Sequence, residues 1–176
     1  MLQAILVAVA LAATVTDLRS RQIPNWLTLG GVVAAFAARS ILFGWPGLLE
    51  AVQGLALGLA VYGTLFALRV MGGGDVKLMM ALGAVAGPAN WLAIFFITSL
   101  VGGPIALMTV LLRGRLGKTL RNVWAILLQL ARLRPPYEAD PELDVAHPAS
   151  VGLPHGAVIA LGVGVFLAVA RVLAGR

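Results

Sequence analysis

The stretch Met71-Gly72-Gly73-Gly74-Asp75-Val76-Lys77 interrupts a chain otherwise made of long apolar runs. The run that follows it, 76–87, is short. As a helix rising 1.5 Å per residue it covers about 18 Å, against a hydrocarbon thickness of about 30 Å. It crosses a bilayer only if 72–77 is drawn into the helix or the cavity around it. Asp75 then lies inside the membrane boundary, near one face. A carboxylate there is costly, which makes it a functional candidate by default.

Working outward, the composition agrees with a membrane setting. Of the 176 residues, 60% are hydrophobic and 11% charged, where a soluble domain is about 45–50% apolar and about 25% charged. The length fits one domain, 1–176. No cysteine is present, which excludes disulfides, thiol nucleophiles and cysteine-ligated zinc. The net charge of +6 needs no nucleic acid, because membrane proteins concentrate Lys and Arg in cytoplasmic loops.

Six apolar segments can be drawn, at 2–16, 26–43, 48–70, 76–87, 91–112 and 153–173. The expected fold is an all-α membrane protein with six transmembrane helices, the fourth short. The first run has no Lys or Arg before it and is read as a retained helix rather than a signal peptide. Arg19 and Arg21 follow the first segment, Arg69 and Lys77 flank the junction before the fourth, and six Lys or Arg follow the fifth. The loops 44–47 and 88–90 carry none. The positive-inside rule makes the basic side cytoplasmic and puts Asp17 and Asp75 on it together. Arg39, Arg171 and Arg176 fall on the opposite side, against the rule. Asn25 after Pro24 is expected to N-cap the second helix, Pro154 to open the sixth and Pro104 to kink the fifth. Gly54 and Gly58 form a small-xxx-small packing face.

The region 118–134 reads differently. Lys118, Arg121, Asn122, Gln129 and Arg132 share one helical face, with Leu120, Val123, Trp124 and Leu127 opposite. That pattern predicts an amphipathic helix lying on the cytoplasmic leaflet and contacting membrane lipid. Residues 137–150 are acidic and proline-containing and read as a flexible loop.

Two acids carry the candidate chemistry. Asp17 ends the first apolar run, where the negative end of the helix dipole disfavours an anion. Asp75 could serve as the N-cap of the short helix, but capping leaves Gly72, Gly73 and Gly74 unexplained. Glycine allows close backbone approach and positive φ, as expected where a substrate strand is laid against an enzyme. Two carboxylates about 3 Å apart do not both ionise easily. The charged one takes a proton from water and the protonated one hydrogen-bonds the scissile carbonyl. Which acid holds which role stays open, because the titration belongs to the pair. Gly117-Lys118-Thr119 is no P-loop, since Leu112 stands where its first glycine is required. His147 and His155 lack a zinc-binding pattern. His155 reads as a polar lining residue, and neither metal nor cofactor is expected.

These motifs resemble a known family. Asp17-Leu18-Arg19-Ser20-Arg21-Gln22-Ile23-Pro24-Asn25 is similar to the first-aspartate motif of type IV prepilin peptidases, and Gly72-Gly73-Gly74-Asp75-Val76-Lys77-Leu78 to their GxGD motif. Leu153-Pro154-His155-Gly156-Ala157 resembles their closing segment. The resemblance implies a GxGD aspartyl protease of the inner membrane, with Asp17 and Asp75 as the catalytic pair. It would cleave prepilin leaders at the cytoplasmic face, just before the pilin's apolar helix. Gly72, Gly73 and Gly74 are expected to admit substrate backbone, and Asn25, Lys77 and Pro154 to support the site. Bifunctional members add a cysteine-bearing methyltransferase region that is lacking here, so the chain looks most like the short Flp/Tad or archaeal preflagellin form. The prepilin is the expected partner, and a homo-oligomer is compatible with the sequence. Two other readings stand beside it: a non-enzymatic transporter or assembly subunit using the acids as ion sites, and an intramembrane protease with other substrates.

Overall fold

The computed structural model describes residues 1–132 and 155–175, and every regular element among them is helical. The elements are α1 (Leu2–Ser20), α2 (Asn25–Ala67), α3 (Gly73–Ala86), α4 (Pro88–Leu112), α5 (Leu116–Ala131) and α6 (His155–Ala174). Four of them, α1, α2, α4 and α6, are long and apolar enough to cross a membrane. That count differs from the six spans drawn on the sequence for two reasons.

The first is that the second and third segments form one element. No loop occupies 44–47. The helix passes instead through a single non-helical residue, Gly44, at φ 63° and ψ −145°, a conformation that L side chains rarely adopt. Both arms nevertheless pack on α3: a side chain at Gly31 would meet Ala81, and one at Gly58 would meet the Met79 carbonyl. A straight helix would hold Gly31 and Gly58 about 40 Å apart. The 14 residues of α3 extend only about 21 Å. α2 therefore folds back at Gly44, as the span drawing required, within two residues of the internal Pro46.

The second reason is α3 itself, which is too short to cross unaided. It is buried on all sides, with Leu78, Met79, Ala81, Leu82 and Ala84 fully enclosed, as expected of a helix that is apolar all round. The small-xxx-small pair on α2 makes this possible. Gly54 lies so close to Gly83 that a Cβ on either would collide with the other's carbonyl oxygen. Behind this seam, Trp91 of α4 donates its indole N–H to the Met79 carbonyl at 2.9 Å. It stacks on Phe95 at 5.6 Å between centroids and meets Tyr62 edge-on at 6.2 Å.

Arg39 resolves its own exception to the charge rule. It is buried, donates Nε to the Val85 carbonyl at 3.0 Å and pairs with Glu50 of the other α2 arm. Its charge is met by this exposed carboxylate, at the end of the bundle where α3 stops. α4 runs on through Pro104 to Leu112 as one helix. The amphipathic region begins and ends earlier than expected, at 116 and 131, and no described side chain of α5 is buried. Pro154, His147 and the loop 137–150 lie outside the described residues.

Candidate active site

Asp17 sits in the last turn of α1, which continues past it to Ser20. The chain leaves through Arg21 in the left-handed conformation, and the Arg21 N–H caps the Asp17 carbonyl at 2.8 Å. The Asp17 carboxylate is not left to the unfavourable end of its own helix. Its Oδ2 accepts the backbone N–H of Gly156 at 2.8 Å, from a residue 139 positions away. Gly156 lies in the first turn of α6, where backbone N–H groups have no partner within the helix and the dipole is positive. The approach needs a glycine: a Cβ at 156 would lie 3.0 Å from both the Asp17 Cβ and Oδ2. The Thr14 hydroxyl, 3.3 Å from the Gly156 carbonyl, ties the same two helices.

Asp75 occupies the first turn of α3 without capping it. The N-cap is Gly72, in an extended conformation. The Asp75 N–H donates to the Gly72 carbonyl at 3.2 Å, and the Asp75 carboxylate accepts from the Gly72 backbone. This is the reach-back that an acid at the third helical position makes to its N-cap. His155 and Asp17 both lie within electrostatic reach of the Asp75 carboxyl. The two acids and the start of α6 therefore share one end of the bundle. Ile23, in the turn between α1 and α2, is buried there and lies where a Gly74 side chain would touch it.

The glycines differ from expectation in one respect. None of Gly72, Gly73 and Gly74 has a positive φ, so backbone strain does not demand them. Packing does not either. A Cβ at Gly72 would meet only Asp75 Oδ2, at 3.6 Å, and one at Gly74 would make ordinary contact with Ile23. Only Gly73, with Phe66 at 3.3 Å, is tight. At Gly72 the missing side chain keeps the space beside the Asp75 carboxyl clear.

The supporting residues divide. Lys77 donates Nζ to Asn25 Oδ1 at 2.8 Å, fastening the first turn of α2 to that of α3. Asn25 is not the N-cap, because Pro24 holds the extended N-cap position and Asn25 begins the helix. Two neighbours of the acids were not legible in the sequence. His155 is more than a lining residue, since it lies within electrostatic reach of Asp75, and Tyr62 is buried within reach of the same Asp75 carboxyl. An isolated phenol inside an apolar run was the available signal for Tyr62. His155-Gly156 at a helix start was the signal for the donor to Asp17.

No cluster among the described residues could hold a metal ion. The arrangement offers two carboxyl groups, a donor fixed to one of them and an uncrowded backbone beside the other. Comparison with curated proteins and with solved structures returned no match. The sequence does match the type IV leader peptidase family over residues 4–107, a region that holds both acids and the three glycines and ends before α5. That match covers more than half of the chain, and the protein belongs to the type IV leader peptidase family.

Proposed function

We propose that the chain is a single-domain GxGD aspartyl endopeptidase that removes leader peptides from type IV prepilins of the Flp/Tad kind. It acts at the cytoplasmic face of the inner membrane with Asp17 and Asp75 as the catalytic pair. The observation that carries this reading is the meeting of the two acids at one end of the bundle, with Gly156 donating to Asp17 and His155 beside Asp75. One carboxyl is protonated and the other charged. The charged one removes a proton from water, the water attacks the scissile carbonyl carbon, and the protonated carboxyl donates to the carbonyl oxygen. Collapse of the tetrahedral species expels the amine, which takes up a proton, and no covalent enzyme intermediate forms. The backbone at Gly72, where a Cβ would meet only the Asp75 carboxyl, leaves room for an extended substrate strand. Lys77 with Asn25 keeps the α3 end in register with α2. Six crossings follow from this reading if the two arms of α2 each cross and α3 crosses within the protein.

Co-expression with prepilins from the same genome tests the activity by loss of the leader. Reporter fusions test the face: those at Ser20 and Lys118 are expected to read cytoplasmic, and those at Pro46 and Ala89 external. A cytoplasmic signal at Pro46 would overturn the topology.

A further inference from the structure

The seam between α2 and α3 has a regular register. Gly54 meets Gly83, and four residues further along α2, four back along α3, Gly58 meets Met79. Residues four apart share a helix face, so the next step sets Tyr62 opposite Asp75. Contact resumes beyond them, where a Cβ at Gly73 would lie 3.3 Å from Phe66. Two glycines thus bring the backbones together, and a phenol at the third position faces the acid, which lies within its electrostatic reach. Tyr62 is only 4% exposed, and its ring is held edge-on by Trp91 at 6.2 Å and Phe95 at 6.1 Å. Its hydroxyl makes no hydrogen bond among the described residues, where the one fully enclosed side-chain oxygen without a partner is that of Thr98. The Tyr62 hydroxyl therefore opens into the cavity of about 220 Å³ that it lines with Thr98, Met71 and His155. Met71 precedes Gly72, and His155 precedes Gly156, the donor to Asp17, so this cavity adjoins both acids.

We propose that Tyr62 is a third catalytic residue, whose hydroxyl donates a hydrogen bond to the scissile carbonyl oxygen as water adds to the carbon. The proposal rests on the peptidase reading and adds a residue to it. The carbonyl oxygen gains the negative charge of the tetrahedral species, and a donor already fixed at that point lowers the barrier there. The paired carboxyls share one proton, so they offer that oxygen one donor. The backbone N–H of Gly156 is already engaged by Asp17. The phenol supplies a second donor. A phenol keeps its proton up to about pH 10, so Tyr62 stays a donor wherever one carboxyl is charged and the other protonated. It transfers no proton. The proton of the attacking water goes to the charged carboxyl, and the phenol's hydrogen bond weakens again when the carbonyl re-forms and the amine leaves. Trp91 and Phe95 hold the ring in place, so the hydroxyl needs no reorientation at the moment of reaction.

Tyr62→Phe removes the hydroxyl and keeps the ring between Trp91 and Phe95. With the full chain in detergent and a prepilin substrate, kcat should fall by about 10²–10³-fold, the loss typical of one oxyanion donor. KM and the unfolding temperature should stay at their wild-type values, because the interaction is made only in the transition state. The pH profile of kcat should keep its wild-type shape, since the carboxyl pair is untouched. Thr98→Val removes a second unpartnered hydroxyl from the same cavity wall and should leave kcat within a few-fold of wild type. Wild-type kcat in Tyr62→Phe overturns the assignment and leaves the peptidase reading intact. So does a fall in its unfolding temperature in step with activity, which makes Tyr62 a packing residue. A shifted pH profile also overturns it, because Tyr62 then acts through Asp75, as does an equal loss in Thr98→Val. Failure of the wild type to cleave any prepilin overturns the peptidase reading and the Tyr62 assignment together.

Discussion

Helices α3 and α5 are nearly the same length, 14 and 16 residues, and meet opposite fates. α3 is enclosed on every side, and Gly54 and Gly58 of α2 let it approach backbone to backbone. No described side chain of α5 is buried, and Leu120, Trp124 and Leu127 stand 54–64% exposed along one face. The difference is one of charge placement. α3 carries its only charged residues, Asp75 and Lys77, within its first five positions, and everything beyond is apolar or small. α5 spreads Lys118, Arg121 and the polar Asn122 and Gln129 along its length, so that no protein interior of this size could take it in. A short helix can thus be made the centre of a membrane bundle when its polar groups are confined to one end. That end is then the natural place for chemistry.

If that contrast is right, the largest effects should come from the polar end of α3 and its partner on α1. Asp75→Asn and Asp17→Asn should each reduce prepilin cleavage by at least the 10²–10⁴-fold typical of a lost acid–base group, with the proteins still inserted. Leader loss measured at wild-type expression decides it, and substantial cleavage by either folded variant would remove the pair from the mechanism. Next comes the buried seam. Gly83→Val forces a side chain into the Gly54 carbonyl and should cost about 1–3 kcal/mol or more, read as a fall in unfolding temperature in detergent. Leu127→Ala on α5 should leave that temperature unchanged, and an equal fall in both would erase the distinction between the helices.

A third variant separates chemistry from packing within α3. Gly72→Ala meets only the Asp75 carboxylate, at 3.6 Å, so it should keep its unfolding temperature while cleavage falls by about tenfold. Loss of stability in step with activity would return the glycines to a structural role. The smallest effect on cleavage belongs to α5. Changing Lys118, Arg121 and Arg132 to Glu should weaken adhesion to anionic bilayers by about 1 kcal/mol per charge, seen as reduced protection of α5 from aqueous labelling, with leader cleavage within a few-fold of wild type.

Much of this was legible in the sequence because it depends on local pattern. The apolar runs, the short fourth segment, the Gly54–Gly58 face and the two-sided character of α5 all follow from periodicity and composition. What escaped depends on contacts between distant parts of the chain. Glycine, phenylalanine, tryptophan and proline at 44–47 look like a loop, yet one residue at positive φ suffices to turn the helix there. Arg39 looked misplaced until Glu50 was found opposite it. Asp17 looked poorly placed at the end of α1 because its stabilising dipole belongs to α6. The Gly72–Gly74 run was expected to take positive φ, but glycine runs signal open space as well as unusual torsions, and sequence does not separate the two.

The Gly156–Asp17 hydrogen bond also sets an order of events. Both acids lie in the first half of the chain, and the family match ends at residue 107. The donor that settles Asp17 arrives only with residue 156. During synthesis, a chain inserted through α5 already holds both carboxyls but has no helix start to dock against the first of them. This end of the bundle is therefore completed only when α6 packs, and until then the first of the two carboxyls lacks the backbone donor that fixes it.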